Sequence, residues 1–253
     1  MRTVEGMSVI VTGGGSGIGA GTAGHFAKRG ALVTLAGRRA ERVRQVAESI
    51  GPAARWVHAD ITVADDRSLV VESAIKHAGG VDVLVNCAAD MYRGPLSALD
   101  EQQLIGIFHN NVVSAMMLSQ AALPHLVERQ GAIIFFGSVH VTRAFPGASP
   151  YAATKGALEA LTGVLASELG PLGVRVSCVR PGAVLSELNV RAGLFDEETA
   201  RRRNDELGPA HVLGRPGTAA EIAEAVEYLA CAEWTTGSVM VVDGGLGLGT
   251  TNA

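Results

Sequence analysis

Tyr151 and Lys155 are a pair of side chains in this sequence that could move a proton. They stand four residues apart in the run SPYAATKGALEAL, so a helix would place both on one face. A lysine ammonium beside a phenol favours the phenolate and lowers the tyrosine pKa from about 10 toward the range of a general acid–base. Ser138, which follows an apolar run, could polarise an oxygen at the same site. Taken singly, the Tyr–Lys spacing also fits a surface coincidence, and Ser138 fits a turn or helix cap.

A glycine-rich turn, TGGGSGIG at residues 12–19, predicts a site for a phosphate-containing ligand. It follows a β-branched run and opens a stretch of helical spacing, so backbone N–H groups and a helix N-terminus would face an anion. Such a turn can be purely structural, but its strand–turn–helix–strand setting favours dinucleotide binding. The residues assigned to this contact are Gly13, Gly15, Ser16, Gly17, Ile18 and Gly19.

The second apolar run ends in the segment AGRR at residues 36–39. Sites for NAD usually carry an Asp or Glu here to bind the adenosine ribose, and Gly37 fills that position. The guanidinium groups of Arg38 and Arg39 would instead suit a 2′-phosphate, so the sequence favours NADP(H) over NAD(H). Two alternatives stay open: the arginines only begin a surface helix, or Arg38 stacks beside the adenine of NAD. Ser16, inside the glycine turn, offers no second basic group there.

Short β-branched runs alternate with longer stretches of helical spacing along the whole chain. The predicted strands cover residues 8–12, 31–36, 56–59, 81–86, 132–136, 174–179 and 238–242. The predicted helices cover residues 17–29, 40–49, 64–77, 102–126, 151–169 and 219–230. Strands that are apolar throughout and separated by helices predict a single doubly wound, Rossmann-type α/β domain over residues 1–253. Its seven-stranded parallel sheet would carry helices on both faces.

The polar stretch at residues 186–215 interrupts this alternation. It contains a short helical piece around residues 196–206, which Asp196 could cap. Because it follows the carboxyl end of a predicted strand, we interpret it as a substrate loop or lid. The alternative is a solvated surface excursion.

Composition excludes several classes of protein. Apolar residues make up 47% of the chain and charged residues 18%, with a formal net charge of −4, so we expect no nucleic-acid or membrane partner. The three cysteines, Cys87, Cys178 and Cys231, form neither a metal-ligand pattern nor a disulfide framework, and no metal site is predicted. The N-terminal residues lead directly into the first strand without a signal-peptide pattern, so a soluble, cytoplasmic protein is expected.

Taken together, these motifs resemble the short-chain dehydrogenases/reductases over nearly the whole chain. The matching features, in chain order, are the glycine turn, Asp60-Ile61, Asn86, Asn111, Ser138, Tyr151 with Lys155, Pro181-Gly182, and VDGG at residues 242–245. The resemblance implies that Tyr151 exchanges a proton with the substrate while Ser138 orients the substrate oxygen. It also implies that Lys155 holds the nicotinamide ribose and depresses the tyrosine pKa, and that Asn111 anchors a water linking Lys155 to solvent.

The resemblance assigns further cofactor contacts. Asp60 and Ile61 would border the adenine, and the remaining contacts would come from Asn86, Ala88, Pro181, Gly182, Val184, Ser186, Tyr151 and Lys155. One motif departs from the family: NNAG reads NCAA at residues 86–89, which puts the backbone beside the central strand in doubt.

The expected substrate contacts are Ser138, His140, Tyr151, Met91 and Leu188. Weaker pocket candidates are Asp90, Tyr92, Val141, Phe145, Leu185 and Phe195. This mixed lining suggests a medium-sized, largely apolar carbonyl compound. For His140, a place in the pocket wall is favoured over a catalytic role.

The sequence therefore predicts an NADP(H)-dependent oxidoreductase that interconverts a secondary alcohol and a ketone, with Tyr151 as general acid–base. A runner-up is the same hydride chemistry on an imine or an activated C=C bond. The alternative from another class is a dinucleotide-sensing protein without turnover, although such relatives typically lack the Tyr or the Lys. The resemblance also implies a homotetramer or homodimer, built through the helices at 102–126 and 151–169 and the last strand.

Overall fold

The computed structural model describes residues 1–249 and contains one seven-stranded sheet. The strands are β1 (Ser8–Thr12), β2 (Leu32–Gly37), β3 (Ala54–His58), β4 (Val83–Asn86), β5 (Ala132–Phe136), β6 (Arg175–Pro181) and β7 (Val239–Val242). Their order is β3-β2-β1-β4-β5-β6-β7, and every neighbouring pair is parallel. The predicted seven-stranded parallel sheet is confirmed, with strand ends displaced by a few residues.

Helices connect the strands. They are α1 (Gly17–Lys28), α2 (Ala40–Ile50), α3 (Ala64–Ala78), α4 (Glu101–Phe108), α5 (Ser114–Arg129), α6 (Ser149–Leu169), α7 (Leu188–Arg191), α8 (Glu197–Glu206) and α9 (Ala219–Cys231). Across residues 1–249, no helix combines the length and the apolar character that crossing a bilayer requires.

Alternating strand side chains form a core on each face of the sheet. Val9 and Val11 point to one side, where Phe26 of α1 and residues of α2 and α9 cover them. Ile10 points to the other side, into the layer formed by α3, α5 and α6, where Leu118 is fully buried. Each such side chain contributes about 1.5–3 kcal/mol by leaving water, which explains why both faces of the central strands are apolar.

The order of the strands reverses at β1, which lies between β2 and β4. Connections on the two sides of this point run in opposite directions, so they leave a crevice at the carboxyl ends of β1 and β4. Thr12 ends β1 and Asn86 ends β4, and both termini open toward the same edge of the sheet.

The single helix predicted for residues 102–126 is interrupted. A π-helical turn at His109–Val113 separates α4 from α5. Within this turn, Asn111 is buried, and its amide exchanges hydrogen bonds with the backbone of Asp90. A π turn accommodates one extra residue in the helix, and apolar periodicity does not reveal it.

The polar stretch at 186–215 contains two helices, α7 and α8. Asp196 caps α8 as expected, because its carboxylate accepts a hydrogen bond of 2.7 Å from the backbone N–H of Thr199.

The end of α5 offers a test of backbone strain. Gln130 is the one non-glycine residue with a positive φ among residues 1–249, at φ 49° and ψ 49°. Glycine adopts this conformation without the steric cost of a Cβ atom, so Gln130→Gly should stabilise the protein by about 0.5–1 kcal/mol in urea unfolding. The matched control, Gln120→Gly on the exposed side of α5, should destabilise it by about 1 kcal/mol. A destabilised Gln130→Gly variant would contradict the strain argument.

Candidate active site

A cavity of about 810 Å³ lies at the carboxyl ends of the strands, between the glycine turn and the segment that holds α7 and α8. Nearly all of the predicted site residues line it. They are Gly13, Gly15, Ser16, Gly17, Ile18, Gly19, Arg38, Arg39, Asp60, Ile61, Ala88, Met91, Ser138, His140, Tyr151, Lys155, Pro181, Gly182, Val184, Ser186 and Leu188. Asn86 and Asn111 do not line it, and of the weaker candidates neither do Tyr92 and Val141.

The glycine turn leaves the N-terminus of α1 open to the cavity. Ser16 occupies the N-cap position without capping the helix, because its Oγ accepts a hydrogen bond of 3.0 Å from Arg39 Nη2. The N–H groups in the first turn of a helix have no partner within that helix, so they remain available to an anion. This donor set fits the phosphates of a dinucleotide.

Gly13 shows why the turn needs glycine. Its φ is +67°, and a Cβ atom there would lie 3.0 Å from the Cα of Ala88. The segment NCAA, which departs from the usual NNAG, therefore still packs closely against the turn. Cys87 lies in the same segment, and burial raises the pKa of its thiol to about 11. A thiol that stays protonated supports a packing role for Cys87 over a redox one.

Asp60 lines the cavity just after the end of β3. Burial opposes its ionisation, but hydrogen bonds from the backbone and hydroxyl of Thr62, at 3.0 and 2.8 Å, outweigh it and lower the pKa of Asp60. Asp60 is therefore an ionised acceptor at this edge of the cavity.

Both arginines that follow β2 are engaged by carboxylates. Arg38 Nη2 donates to the two carboxylate oxygens of Asp90, at 2.7 and 2.8 Å. Arg39 Nη1 lies 2.6 Å from Oε2 of Glu187. Both arginines line the cavity, and Arg39 also stands at the N-cap position of α2.

Ser138, Tyr151 and Lys155 meet at the other end of the cavity, where β5 ends and α6 begins. Tyr151 is 7% exposed and Lys155 is 3% exposed. Lys155 Nζ donates to the carbonyl oxygen of Phe136 at 2.9 Å and lies 5.6 Å from the centre of the Tyr151 ring. The predicted convergence of the three side chains is present.

The expected lowering of the Tyr151 pKa is wrong for the protein alone. Burial raises the pKa of Tyr151 to about 12, and a hydrogen bond with Ser138 offsets only part of that effect. Burial also lowers the pKa of Lys155. Tyr151 is therefore a protonated phenol at neutral pH.

His140 lies against this group. Its Nδ1 is 3.1 Å from the Ser138 Oγ, its ring stacks on Phe145 at 4.3 Å between ring centres, and its ring meets Tyr151 edge-on at 5.3 Å. Burial, with a smaller contribution from Arg93, lowers the pKa of His140 to about 4. The imidazole is therefore neutral through the physiological range.

Two predicted site residues act from behind the cavity wall. Asn111 Nδ2 donates to the Asp90 carbonyl at 2.9 Å and to Thr154 Oγ1 at 3.1 Å, which fixes the segment that carries Asp90. Asn86 Nδ2 donates to Ser119 Oγ at 3.2 Å. Both side chains are therefore turned into the fold, and neither lines the cavity.

Five charged residues of the lining were missed in the sequence. They are Arg93, Glu187, Arg191, Arg203 and Glu206. Four of them lie in the polar stretch at 186–215, where charge is typical of a solvated surface, and no local pattern shows that they turn inward. Within residues 1–249, His, Cys, Asp and Glu side chains form no cluster of three or more suited to a metal ion.

Comparison with known proteins identifies the family. The family described as Enoyl-(Acyl carrier protein) reductase matches residues 13–247. Glucose 1-dehydrogenase of Gluconobacter oxydans is 34% identical over 251 residues, which cover 96% of this chain and 92% of that protein.

Solved structures agree with this assignment. A 3-ketoacyl-(acyl-carrier-protein) reductase from Brucella melitensis, complexed with NADH, is 31% identical with a TM-score of 0.88, covering 97% of this chain and 100% of that one. A short-chain dehydrogenase/reductase from Caenorhabditis elegans, solved with cofactor, is 28% identical with a TM-score of 0.90, covering 97% and 96%. With a family match over most of its length and relatives above 30% identity, this chain belongs to the short-chain dehydrogenase/reductase family of oxidoreductases.

Proposed function

We propose that the protein is an NADP(H)-dependent oxidoreductase that interconverts a secondary alcohol and a ketone. The observation that carries the proposal is one cavity with two chemically distinct ends. One end holds a phenol, a hydroxyl and an ammonium group, and the other holds an open helix N-terminus beside two guanidinium groups. A nicotinamide dinucleotide, when bound, supplies or accepts the hydride.

Tyr151 is the proton donor in the reducing direction. It is protonated at neutral pH because burial raises its pKa to about 12, so it can donate its proton to an alkoxide that forms at the carbonyl oxygen. Ser138 Oγ lies beside it and orients that oxygen. In the oxidising direction the positive charge of Lys155, 5.6 Å from the phenol ring, favours proton loss and opposes the effect of burial.

Arg38 and Arg39 support the preference for a 2′-phosphate. Both hydrogen bonds from Arg38 to Asp90 use Nη2, which leaves Nε and Nη1 without a bond to that carboxylate. Gly37 places no acidic group beside the expected ribose position. A carboxylate that orients a guanidinium while leaving one edge available suits recognition of a phosphate.

The substrate end of the cavity supports an alcohol–ketone reaction on an organic molecule with apolar parts. Met91, Phe145, Leu188 and Phe195 line it together with the polar groups described above. Glucose 1-dehydrogenase and 3-ketoacyl-(acyl-carrier-protein) reductase are named for alcohol–carbonyl reactions. Reduction of an activated C=C bond is a second candidate, favoured by the family description as an enoyl reductase.

We propose that residues 186–215 act as a substrate lid within a single cofactor-binding and catalytic domain that spans the chain. α7 and α8 both contribute to the cavity lining. We also propose assembly into a homotetramer or homodimer through α4, α5, α6 and β7. These elements expose apolar side chains, among them Ile105, Met116, Val164 and Val241.

Replacing Tyr151 by Phe tests the mechanism. Turnover of a panel of ketones, sugars and a crotonyl thioester should fall by about 10²–10⁴-fold, because no other proton donor replaces the phenol. NADPH binding, followed by nicotinamide fluorescence, should remain. Tyr228→Phe, at a half-exposed position on α9, is the control and should leave turnover unchanged. If Tyr151→Phe turned over substrate as fast as the wild type, the mechanism would be contradicted. If the wild type turned over only the crotonyl thioester of the panel, reduction of a C=C bond would be favoured instead.

Cofactor preference is tested by titrating the protein with NADPH and NADH. We expect NADPH to bind about tenfold more tightly or better, because a phosphate gains charge-assisted hydrogen bonds from arginine. Arg38→Gln should weaken the binding of NADPH more than the binding of NADH, so the ratio of the two affinities should decrease. Equal binding of the two cofactors by the wild type would instead support NAD(H).

The neutral state of His140 makes stability depend on pH. Its pKa is about 4 in the folded protein and about 6.5 in an unfolded chain, so the unfolded state binds the additional proton as the pH falls. The stability that the neutral imidazole contributes is fully present above pH 6.5. As the pH falls to 4.5, the free energy of unfolding should decrease by about 2 kcal/mol for this reason. Urea unfolding at pH 7 and 4.5 should show a smaller loss for His140→Phe than for the wild type. His125→Phe on α5 controls for removal of a histidine, and an unchanged pH dependence in His140→Phe would refute the assignment.

A further inference from the structure

Glu187 places a carboxylate among the arginines at the cofactor end of the cavity. It directly precedes α7, at the start of the lid. Its Oε2 lies 2.6 Å from Arg39 Nη1, and its Oε1 lies 4.0 Å from Arg42 Nη2. The carboxylate of Glu187 therefore pairs with the guanidinium of Arg39, which we assign to the cofactor phosphate.

The surroundings of Glu187 hold it in the ionised form. Burial opposes ionisation, but Arg39, and to a smaller extent Arg42, more than compensate and lower the pKa of Glu187. Arg39 also donates to Ser16 at the glycine turn, and Arg191, one turn further along the lid, donates to the carbonyl oxygen of Ala89 at 2.9 Å. At this end of the cavity the lining therefore contains three arginines, Arg38, Arg39 and Arg191, together with the carboxylates of Asp60, Asp90 and Glu187.

Glu187 is also fixed in place by the lid backbone. A Cβ atom on Gly17 would lie 3.2 Å from the Cβ of Ser186, so the residue before Glu187 packs directly on the glycine turn. The carboxylate of Glu187 thus contacts Arg39 at the cofactor end of the cavity. A second anion reaching Arg39 would face a like charge at close range, which disfavours the two being present together.

We propose that Glu187 is a specificity-determining residue that competes with the 2′-phosphate of NADP(H) for the guanidinium of Arg39. This inference rests on the proposed cofactor site. The carboxylate stands in for the phosphate while the site holds no phosphorylated nucleotide, and it gives up Arg39 when one binds. Affinity for the 2′-phosphate is therefore set below what the arginines alone would give.

The test measures nucleotide binding rather than turnover. Adenosine 2′,5′-bisphosphate and adenosine 5′-monophosphate differ by the phosphate in question, and calorimetry on the full chain gives both affinities. Glu187→Gln removes the charge and keeps the shape, so it should bind the bisphosphate about three- to tenfold more tightly, with the monophosphate changed less than twofold. Glu197→Gln removes a charge from the exposed start of α8 and should change neither affinity.

A double-mutant cycle with Arg39→Gln separates competition from a general charge effect. In the Arg39→Gln background, Glu187→Gln should give no further gain for the bisphosphate, because the contested guanidinium is gone. An equal gain for both nucleotides, a gain that persists without Arg39, or no gain at all would each overturn the proposal. Glu187→Ala serves as a second variant if the glutamine variant does not fold.

Failure of the cofactor proposal would give a different result. A wild type that binds the two nucleotides equally argues against the NADP(H) preference. If Glu187→Gln then gains affinity for the bisphosphate alone, the competition still holds and explains the missing preference. If Glu187→Gln gains no affinity for the bisphosphate, the proposed competition is overturned as well.

Discussion

The close contact between the turn after β1 and the segment after β4 is the constraint on which the cavity depends. Thr12 Oγ1 accepts a hydrogen bond of 3.0 Å from the N–H of Ala88, and a Cβ atom on Gly13 would lie 3.0 Å from the Cα of Ala88. This contact holds together the two strands that flank the reversal of the sheet. It fixes the open end of α1 relative to the segment that leads to Asp90, and hence the width of the phosphate end.

The two ends of the cavity differ in how their charges are stabilised. At the substrate end, burial raises the pKa of Tyr151 and lowers that of His140, so both rings are uncharged at neutral pH. At the cofactor end, arginines lie against carboxylates in the pairs Arg38–Asp90 and Arg39–Glu187, at 2.7 and 2.6 Å. A charge-rich end for a phosphate and a drier end for proton transfer suit the chemistry proposed for each.

Much of this arrangement could be predicted from the sequence, because local patterns carry it. The strands, the glycine turn and the Asp196 cap each depend on neighbouring residues, and apolar runs followed by glycine or a capping residue identify them. The pairs Arg38–Asp90 and Arg39–Glu187 join residues far apart in the chain, and no local pattern encodes such partners. The raised pKa of Tyr151 was likewise missed, because desolvation depends on packing from several elements.

The π turn at His109–Val113 has a consequence for how this chain can change in length. Each residue of a helix rotates its successor by about 100°, so deleting one residue inside the turn would restore regular winding there. The extra residue is taken up within the turn, so this deletion would leave α5 in phase with the sheet and keep Leu118 and Leu126 in the core. A deletion within the first turn of α5 has no extra residue to remove, so it would rotate the rest of that helix by about 100° and carry both leucines away from the core. The five-residue turn is therefore a place where the chain can lose a residue without turning α5 on the sheet.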